Sequence, residues 1–424
     1  MDHEVRWARQ RILACAACLI AVSAGGPIRA DWTRWGGPNG DFSVADEGVS
    51  EALEETAPAL LWKRELGPGE SAVHVKGSRL YTVYRDGDRE VVVALDPASG
   101  ETLWRHRYEA SLPEKLYVEH GDGPHAPLQI VGDRIFTLGI GGKLHCLALS
   151  SGRPFWSRDL VAEFEGKIPA CGYGGGVLPY GDLVIVQVGG EGRGVVAFKQ
   201  SDGEVAWQSQ DFGAGYATPI LIEVGGEEQA VVFAHGEVAG LDPATGALKW
   251  SHAHETEYGV NASTPLWGDD GILVVSSAYD TGTRGLKLAS DGEATTVEEL
   301  WYQRKMQIHF STMIRVGDRI YGTSGDFGPS IFTAVDATTG ELVWQQRSVS
   351  EKGSLLRVGE HLLILDEEGL LVLVKPGAEK AETVAEYQIL EERVWAPPTL
   401  VGSRLYVRTK TGVAAFELAA SEEE

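Results

Sequence analysis

Histidine and carboxylate side chains come close together in two short stretches of this sequence. The loop "EHGDGPH" places His120, Asp122 and His125 within six residues, which is a spacing that a metal site could use. In "WSHAHE", His252 and His254 are two residues apart and would share one face of a strand. Each stretch has a simpler explanation, namely a Gly-Asp-Gly-Pro turn with solvated histidines in the first and partial packing at an outer rim in the second. We therefore predict no metal site.

Other patterns that could support chemistry also have structural explanations. The stretch "RDGDRE" (85–90) is predicted to be a hairpin turn, and its two aspartates are too few for a calcium cage. The glycine runs "GYGGG" (172–176) and "GGEGRG" (189–194) are not phosphate loops, because no helix is predicted after them. No Ser-His-Asp arrangement is evident, and we predict no catalytic residues.

Cysteine usage is sparse. Cys15 and Cys18 lie in an apolar N-terminal stretch, which leaves Cys146 and Cys171 in the body of the chain. One potential pair does not make a disulfide framework. We expect Cys146 to be a small buried residue and not a nucleophile, with a disulfide to Cys171 as the alternative.

A repeated unit positions these residues, apart from Cys15 and Cys18. The stretch "LDPASGETLW" (95–104) recurs as "LDPATGALKW" (241–250) and "VDATTGELVW" (335–344). The larger unit "PLQIVGDRIFTLGIGGKLHCLALSSGRPFW" (127–156) contains four short strands separated by turns that suit antiparallel hairpins. Tryptophans mark the fourth strand at intervals of 42 to 52 residues: Trp62, Trp104, Trp156, Trp207, Trp250, Trp301 and Trp344. Tyr387 holds the same place in a degenerate copy.

Two incomplete copies complete one another. The segment "LLWKREL" (60–66) is a lone fourth strand, whereas the last copy (397–418) has three strands and no fourth. An N-terminal strand that joins the final sheet closes a β-propeller ring and removes its open edges. The sequence therefore predicts an all-β fold, an eight-bladed propeller of four-stranded antiparallel blades, in which segments 60–66 and 413–418 pair.

The repeated tryptophan is predicted to be structural. Glycine lies four residues before it in five copies, where it supplies a positive-φ turn. In each of these copies a small third-strand residue, six positions before that glycine, leaves room for a neighbouring indole. We expect each indole to dock across the boundary between blades.

Composition and the chain ends set further limits. The formal net charge of −24 disfavours nucleic acid and anionic lipid as partners. Three arginines and a short apolar run within residues 1–30 are typical of a cleaved signal peptide, with an uncleaved anchor as the alternative. We then expect a leader segment (31–59), a single propeller (60–418) and an acidic tail (419–424). We expect the processed protein to be exported to the periplasm or the extracellular space, where it could associate with the envelope. We also expect it to be a monomer and not an integral membrane protein.

The chain resembles the PQQ-like β-propeller repeat family. The family pattern A-x-D-x-x-T-G-x-x-x-W is matched at 334–344, and the opening "DWTRWGGPNGDFSV" (31–44) looks like the leader of its exported members. The resemblance covers about residues 31–418. The family contains quinone-dependent dehydrogenases, the outer-membrane assembly scaffold BamB and members of unknown role.

This resemblance implies two functions. The first, which we favour, is a non-catalytic binding or scaffold protein of the cell envelope that is BamB-like in architecture and takes an envelope protein or a small ligand. The alternative is an oxidoreductase with pyrroloquinoline quinone and calcium in the central funnel. The dehydrogenases of the family typically have an adjacent Cys-Cys pair and long insertions, which are absent from residues 31–424. We therefore expect no cofactor.

Any ligand site should lie where the chain approaches each innermost strand, because those loops ring the funnel mouth. Residues at these points are aromatic or can form hydrogen bonds, which is typical of ligand pockets. The predicted funnel residues are His125, Tyr173, Tyr216, Asn261, His309, Lys352 and Trp395, with Glu70, Ser263 and Phe310 beside them. Trp395 is predicted to stack on a ligand, and Lys352 to meet an anionic group. The alternative is a solvent-filled funnel with a merely polar wall.

Overall fold

The computed structural model describes residues 31–119, 121–325, 330–347 and 349–419. The predicted signal peptide and most of the acidic tail lie outside the described residues. Eight antiparallel sheets follow one another along the chain, and each has the four-strand core of a propeller blade. The predicted eight-bladed β-propeller is therefore confirmed.

Each blade runs from a short first strand near the ring axis to an outer fourth strand. The first four blades comprise, in order, His74–Lys76, Arg79–Asp86, Arg89–Leu95 and Thr102–Glu109; Gln129–Val131, Arg134–Leu138, Lys143–Ala148 and Pro154–Asp159; Leu178–Tyr180, Leu183–Gln187, Val195–Lys199 and Val205–Ser209; and Ile220–Val224, Glu227–Ala234, Gly236–Leu241 and Leu248–His254.

The other four blades follow the same plan. They comprise Leu266–Trp267, Ile272–Ser277, Gly282–Ser290 and Thr295–Gln303; Ile314–Val316, Arg319–Ser324, Ile331–Asp336 and Leu342–Arg347; Ser354–Val358, His361–Leu365, Leu370–Lys375 and Glu382–Gln388; and Thr399–Val401, Arg404–Arg408, Gly412–Glu417 and the N-terminal strand Ala59–Glu65. Two helices, Val49–Glu55 and Leu160–Phe164, and a short strand, Ser43–Val44, complete the described elements.

The ring closes through the N-terminal strand, as predicted. Ala59–Glu65 pairs antiparallel with Gly412–Glu417, and Trp62 lies opposite Ala415. The strand thus becomes the fourth strand of blade 8. Closure removes two exposed edges, which would otherwise be free to pair with another chain.

The repeated tryptophans join neighbouring blades. Within its own blade the indole lies opposite a small third-strand residue, as Trp104 lies opposite Ala94 and Trp156 opposite Cys146. Trp104 Nε1 then donates a 3.2 Å hydrogen bond to the carbonyl of Leu149 in the next blade. The indoles of Trp62, Trp156, Trp207, Trp301 and Trp344 likewise donate to a carbonyl 33 to 44 residues ahead. The predicted docking role is supported at these six positions.

The turn glycines do more than supply a positive φ. Gly203 has φ +74°, and a Cβ atom built on it would lie 2.6 Å from the Trp156 ring of the preceding blade.

Trp250 is the exception among the repeated tryptophans, because its Nε1 does not donate to a carbonyl of the next blade but to Gln229 Oε1, at 2.7 Å within its own blade. Gln229 Nε2 then donates to Thr295 Oγ1 at 2.7 Å in the next blade, so the docking contact is relayed by a side chain.

The leader segment crosses the end of the ring axis. Trp32 exchanges backbone hydrogen bonds with Val75 of blade 1, and the carbonyl of Thr33 accepts one from Ile130 of blade 2. Ser43–Val44 then pairs in parallel with the first strand of blade 7. The leader therefore bridges first strands from different parts of the ring and blocks one end of the central channel.

Candidate functional site: a blind funnel on the ring axis

The open end of the channel is a funnel of about 1370 Å³. We call the eight segments that lead into the first strand of each blade the mouth loops. Every mouth loop contributes to the wall, in blade order through Glu70, His125, Cys171, Tyr216, Ala262, His309, Lys352 and Trp395. This arrangement follows from the blade geometry, since all eight first strands begin on the same side of the ring.

The leader forms the floor of the funnel. It binds the far ends of the first strands, where the Gly77 N–H donates a 2.8 Å hydrogen bond to Asp31 Oδ1. Trp35 reaches the funnel wall from this side, and its Nε1 donates a 2.6 Å hydrogen bond to Thr264 Oγ1 in the mouth loop of blade 5. The funnel is therefore blind, with an aromatic ring at its base.

One side of the wall is a continuous run of aromatic rings, which we call the aromatic arc. It comprises Tyr258, Tyr279, His309, Phe310 and Trp395, and each ring centroid lies 5.2 or 5.3 Å from the next. A hydrogen bond of 2.8 Å joins His309 Nε2 to Tyr279 Oη. The contacts include edge-to-face geometries, which stabilise aromatic pairs beyond the burial of their area.

The charged residues of the wall are predominantly acidic. Five are glutamates, namely Glu70, Glu367, Glu368, Glu391 and Glu392, against two cations, Lys352 and Arg393. Segments 367–368 and 391–392 carry four of these glutamates. Just after the second segment, the Val394 N–H donates a 3.0 Å hydrogen bond to the Glu367 carbonyl and so links the two segments. We call these two segments the acidic sector.

Both cations of the wall are already in contact with acidic or aromatic groups. Lys352 Nζ lies 3.4 Å from Glu367 Oε1, and the Arg393 guanidinium lies 4.4 Å from the centroid of the Trp395 ring. Glu367 Oε2 also accepts a 2.8 Å hydrogen bond from Trp395 Nε1. Lys352 is therefore neutralised within the protein, which weakens the expectation that it meets an anionic ligand group.

Five of the seven predicted funnel residues line the wall: His125, Tyr216, His309, Lys352 and Trp395. Glu70 and Phe310 line it as well, and Glu70 Oε2 lies 2.9 Å from His125 Nδ1. Ligand binding by these residues stays a prediction.

Tyr173 and Asn261 are not part of the wall, which corrects their expected position. Tyr173 is 2% exposed and points into the core, where its hydroxyl donates a 2.7 Å hydrogen bond to the Val188 carbonyl. Asn261 is fully buried and donates to the carbonyls of Ala234 and His254. Both side chains satisfy buried backbone groups, and the neighbouring Ser263 is likewise buried.

Several wall residues were missed by the sequence reasoning. Trp35 belongs to the leader, whereas Tyr279 and Glu367 lie in turns between second and third strands. These turns emerge on the same side of the ring as the mouth loops. Neighbouring strands of a blade run in opposite directions, so the turn between the second and third strands lies at the end where the first strand begins. This alternation is the signal that could have identified Tyr279 and Glu367.

The other chemical candidates have structural roles. His125 pairs with Glu70, whereas Asp122 lies 3.8 Å from Arg85; His120 falls outside the described residues. Among the residues that the structure describes, no group of three or more His, Cys, Asp or Glu could hold a metal ion. The hairpin at 85–90 is confirmed.

His254 is more deeply buried than partial packing at a rim would imply. Its Nε2 lies 3.1 Å from Ser277 Oγ, and burial, followed by the charges of Arg284 and His252, lowers its pKa to about 3. The residue is therefore a neutral member of the core.

Cys146 and Cys171, the cysteines in the described part of the chain, are free thiols. Burial is the main cause of the raised pKa of Cys146, which is about 11, and it also raises the pKa of Cys171 on the wall. The pKa of Tyr216 beside it is raised as well, again mainly by burial. These groups therefore stay protonated near neutral pH, and the thiols are poor nucleophiles.

Comparisons with known proteins agree with this architecture. A family model described as "Outer membrane protein assembly factor BamB" matches residues 45–122 and 88–346. The outer membrane protein assembly factor BamB of Yersinia pestis is 23% identical over 269 residues, or 58% of this chain. The match spans 62% of that relative, which is less than two thirds of its length.

Solved structures show the same fold. BamB from Moraxella catarrhalis has a TM-score of 0.61 at 16% identity, and the match covers 87% of this chain and 99% of that one. Quinohemoprotein alcohol dehydrogenase from Comamonas testosteroni has a TM-score of 0.65 at 14% identity, covering 93% and 81%. At such identities the likeness concerns the fold alone, since one fold supports many functions.

Proposed function

Because the chain belongs to the PQQ-like β-propeller family whose model is described as outer membrane protein assembly factor BamB, we propose that it is a non-catalytic binding or scaffold protein of the cell envelope. The observation that carries this proposal is the blind funnel, to which all eight mouth loops contribute. A rigid ring of loops around one cavity is suited to recognition. The partner is an envelope polypeptide that enters the funnel mouth.

An envelope location is part of the proposal. It is supported by the predicted signal peptide at residues 1–30 and by a relative named for outer membrane protein assembly. Neither helix in the described part of the chain has the length and apolar character needed to span a bilayer.

The funnel wall fits pyrroloquinoline quinone poorly. That quinone carries carboxylates and is an anion at neutral pH, whereas the wall has five glutamates and two cations. Lys352 and Arg393 are the groups that could neutralise it, and they already contact Glu367 and Trp395. Bringing like charges together in a partly enclosed site is unfavourable unless a cation bridges them, and among the described residues no group of three or more His, Cys, Asp or Glu could hold a bridging calcium ion. The quinone enzyme is therefore not our proposal.

Site-directed photo-crosslinking in the native cell tests the proposed function. Benzoylphenylalanine at position 258 samples the funnel mouth, because Tyr258 lines the cavity and is 61% exposed. The matched control is the same amino acid in place of Phe155, which is 48% exposed on the outer strand Pro154–Asp159. We expect a discrete crosslinked envelope polypeptide from position 258 and none from position 155.

A quinone titration of the purified mature protein, followed by absorbance, is the second arm. We expect no saturable binding. Saturable binding that Trp395→Ala abolishes, together with no crosslink at position 258, would overturn the scaffold proposal in favour of the oxidoreductase.

A further inference from the structure

We propose that the funnel recognises the cationic side chains of its polypeptide partner, seating a lysine or arginine between the acidic sector and the aromatic arc. The inference rests on the proposed function and adds to it the chemistry of the ligand. It depends on a combination of enclosure, negative charge and exposed aromatic faces.

The acidic sector contains carboxylates that the protein does not neutralise. Glu392 is paired with Lys63, and Glu367 is paired with Lys352. Glu368 and Glu391 are exposed members of the wall, and neither forms an ion pair with another described residue. Two uncompensated carboxylates on the funnel wall attract a mobile cation and raise its local concentration.

The aromatic arc supplies the second half of the site. A guanidinium or ammonium group over an aromatic face is attracted by the ring quadrupole. The protein already uses this geometry at the funnel wall, where Arg393 covers Trp395 with 4.4 Å between guanidinium carbon and ring centroid. Tyr258, at the other end of the arc, is 61% exposed and its ring remains accessible to a ligand.

The size of the funnel favours a peptide over a small cation. Pockets for small ligands usually measure about 300–1,000 Å³, and this funnel measures about 1370 Å³. A single ammonium compound would leave most of the wall solvated. A peptide segment of several residues can place a cation in the acidic sector and lay an aromatic side chain on the arc.

Fluorescence anisotropy with short labelled peptides tests this inference on the mature protein. The probe is a hexapeptide of alternating lysine and tyrosine; its partner replaces each lysine with glutamate, and a third replaces each with glutamine. We expect saturable binding of the lysine peptide only, weakening as salt rises because exposed charge pairs are screened.

All substituted positions are exposed, so we expect the variants to fold as the parent does. Glu368→Gln/Glu391→Gln removes two exposed charges, and each such contact is worth about 0.2–1 kcal/mol, so we expect affinity to fall about 2- to 30-fold. The matched control, Glu101→Gln/Glu298→Gln, changes the net charge equally at exposed positions outside the funnel wall and should leave affinity unchanged. Tyr258→Ala should weaken the lysine peptide about 2- to 5-fold, as expected for loss of one exposed cation–π contact.

Three results would overturn the inference. Equal binding of the glutamine peptide would show recognition of peptide without recognition of charge, and equal losses in both glutamine double variants would show a nonspecific effect of net charge. Spermidine alone, if it displaced the lysine peptide at equal affinity, would make the ligand a small cation. In the first and third cases a crosslink at position 258 would still support the proposed envelope scaffold, so the two proposals can fail separately.

Discussion

His145 makes stability depend on pH in a way that one substitution should remove. It lies in Lys143–Ala148, the third strand of blade 2, and its ring centroid is 4.1 Å from that of Tyr108. Both ring nitrogens are buried without a hydrogen-bond partner in the described structure. Burial, then the charges of His106 and Lys143, lowers the pKa of His145 from 6.5 to about 3. The native protein therefore holds this histidine neutral.

The sign and size of the effect follow from proton linkage. Between pH 6.5 and about 3 the unfolded chain binds a proton at His145 that the folded protein does not. Stability from this residue is fully present above pH 6.5 and decreases by about 1.4 kcal/mol for each pH unit below it. At pH 5 the loss is about 2 kcal/mol. His145→Phe keeps an aromatic ring against Tyr108 and removes the titrating group.

Urea unfolding at pH 7.5, 6.5, 5.8 and 5.0 measures the difference between variant and parent. We expect His145→Phe to gain about 2 kcal/mol relative to the parent between pH 7.5 and pH 5.0. Phe136→Leu is the control, because it alters packing in the adjacent strand without changing proton binding, and its effect should be the same at every pH. Parallel pH profiles for His145→Phe and the parent would refute a neutral buried histidine.

Three further predictions concern the blades and the N-terminus. Trp250→Ala should lower the free energy of unfolding by about 3–5 kcal/mol, because the indole is 4% exposed. Leu248→Ala in the same strand should change it by less than about 0.5 kcal/mol, because that side chain is 49% exposed. Chemical denaturation measures both, and a Trp250→Ala loss near zero would contradict the docking role. Gly203→Ala should cost more than Gly77→Ala in the same assay, since both have positive φ but only the first would meet a neighbouring indole; equal losses would mean that backbone conformation alone matters. Mass spectrometry of natively exported protein should show a chain that begins immediately after residue 30, and an intact N-terminus in a cytoplasmic pool would contradict the predicted signal peptide.

The sequence by itself determined the fold. Strand, turn and tryptophan recur in a fixed register, and each is governed by interactions within a blade or between adjacent blades. The small residue opposite Trp104 could be identified because antiparallel pairing relates positions that are close in sequence. The incomplete first and last copies likewise specified ring closure, since only their pairing completes eight sheets.

The sequence also located the mouth loops, but not the direction of every side chain in them. Tyr173 and Asn261 occupy mouth loops as His125 does, yet they turn inward to satisfy the buried carbonyls of Val188 and Ala234. These carbonyls belong to the same blade for Tyr173 and to the preceding blade for Asn261, and no local pattern reveals which buried carbonyl needs a donor.

Only the tertiary structure decided what the funnel is. The leader places Trp35 at its floor through a hydrogen bond to Thr264, 229 residues further along the chain. The acidic sector unites segments 367–368 and 391–392 from two blades, and the aromatic arc unites side chains from 258 to 395. Closure of the ring brings these distant segments around one axis, so the charge and shape of the wall depend on long-range convergence and not on any repeat.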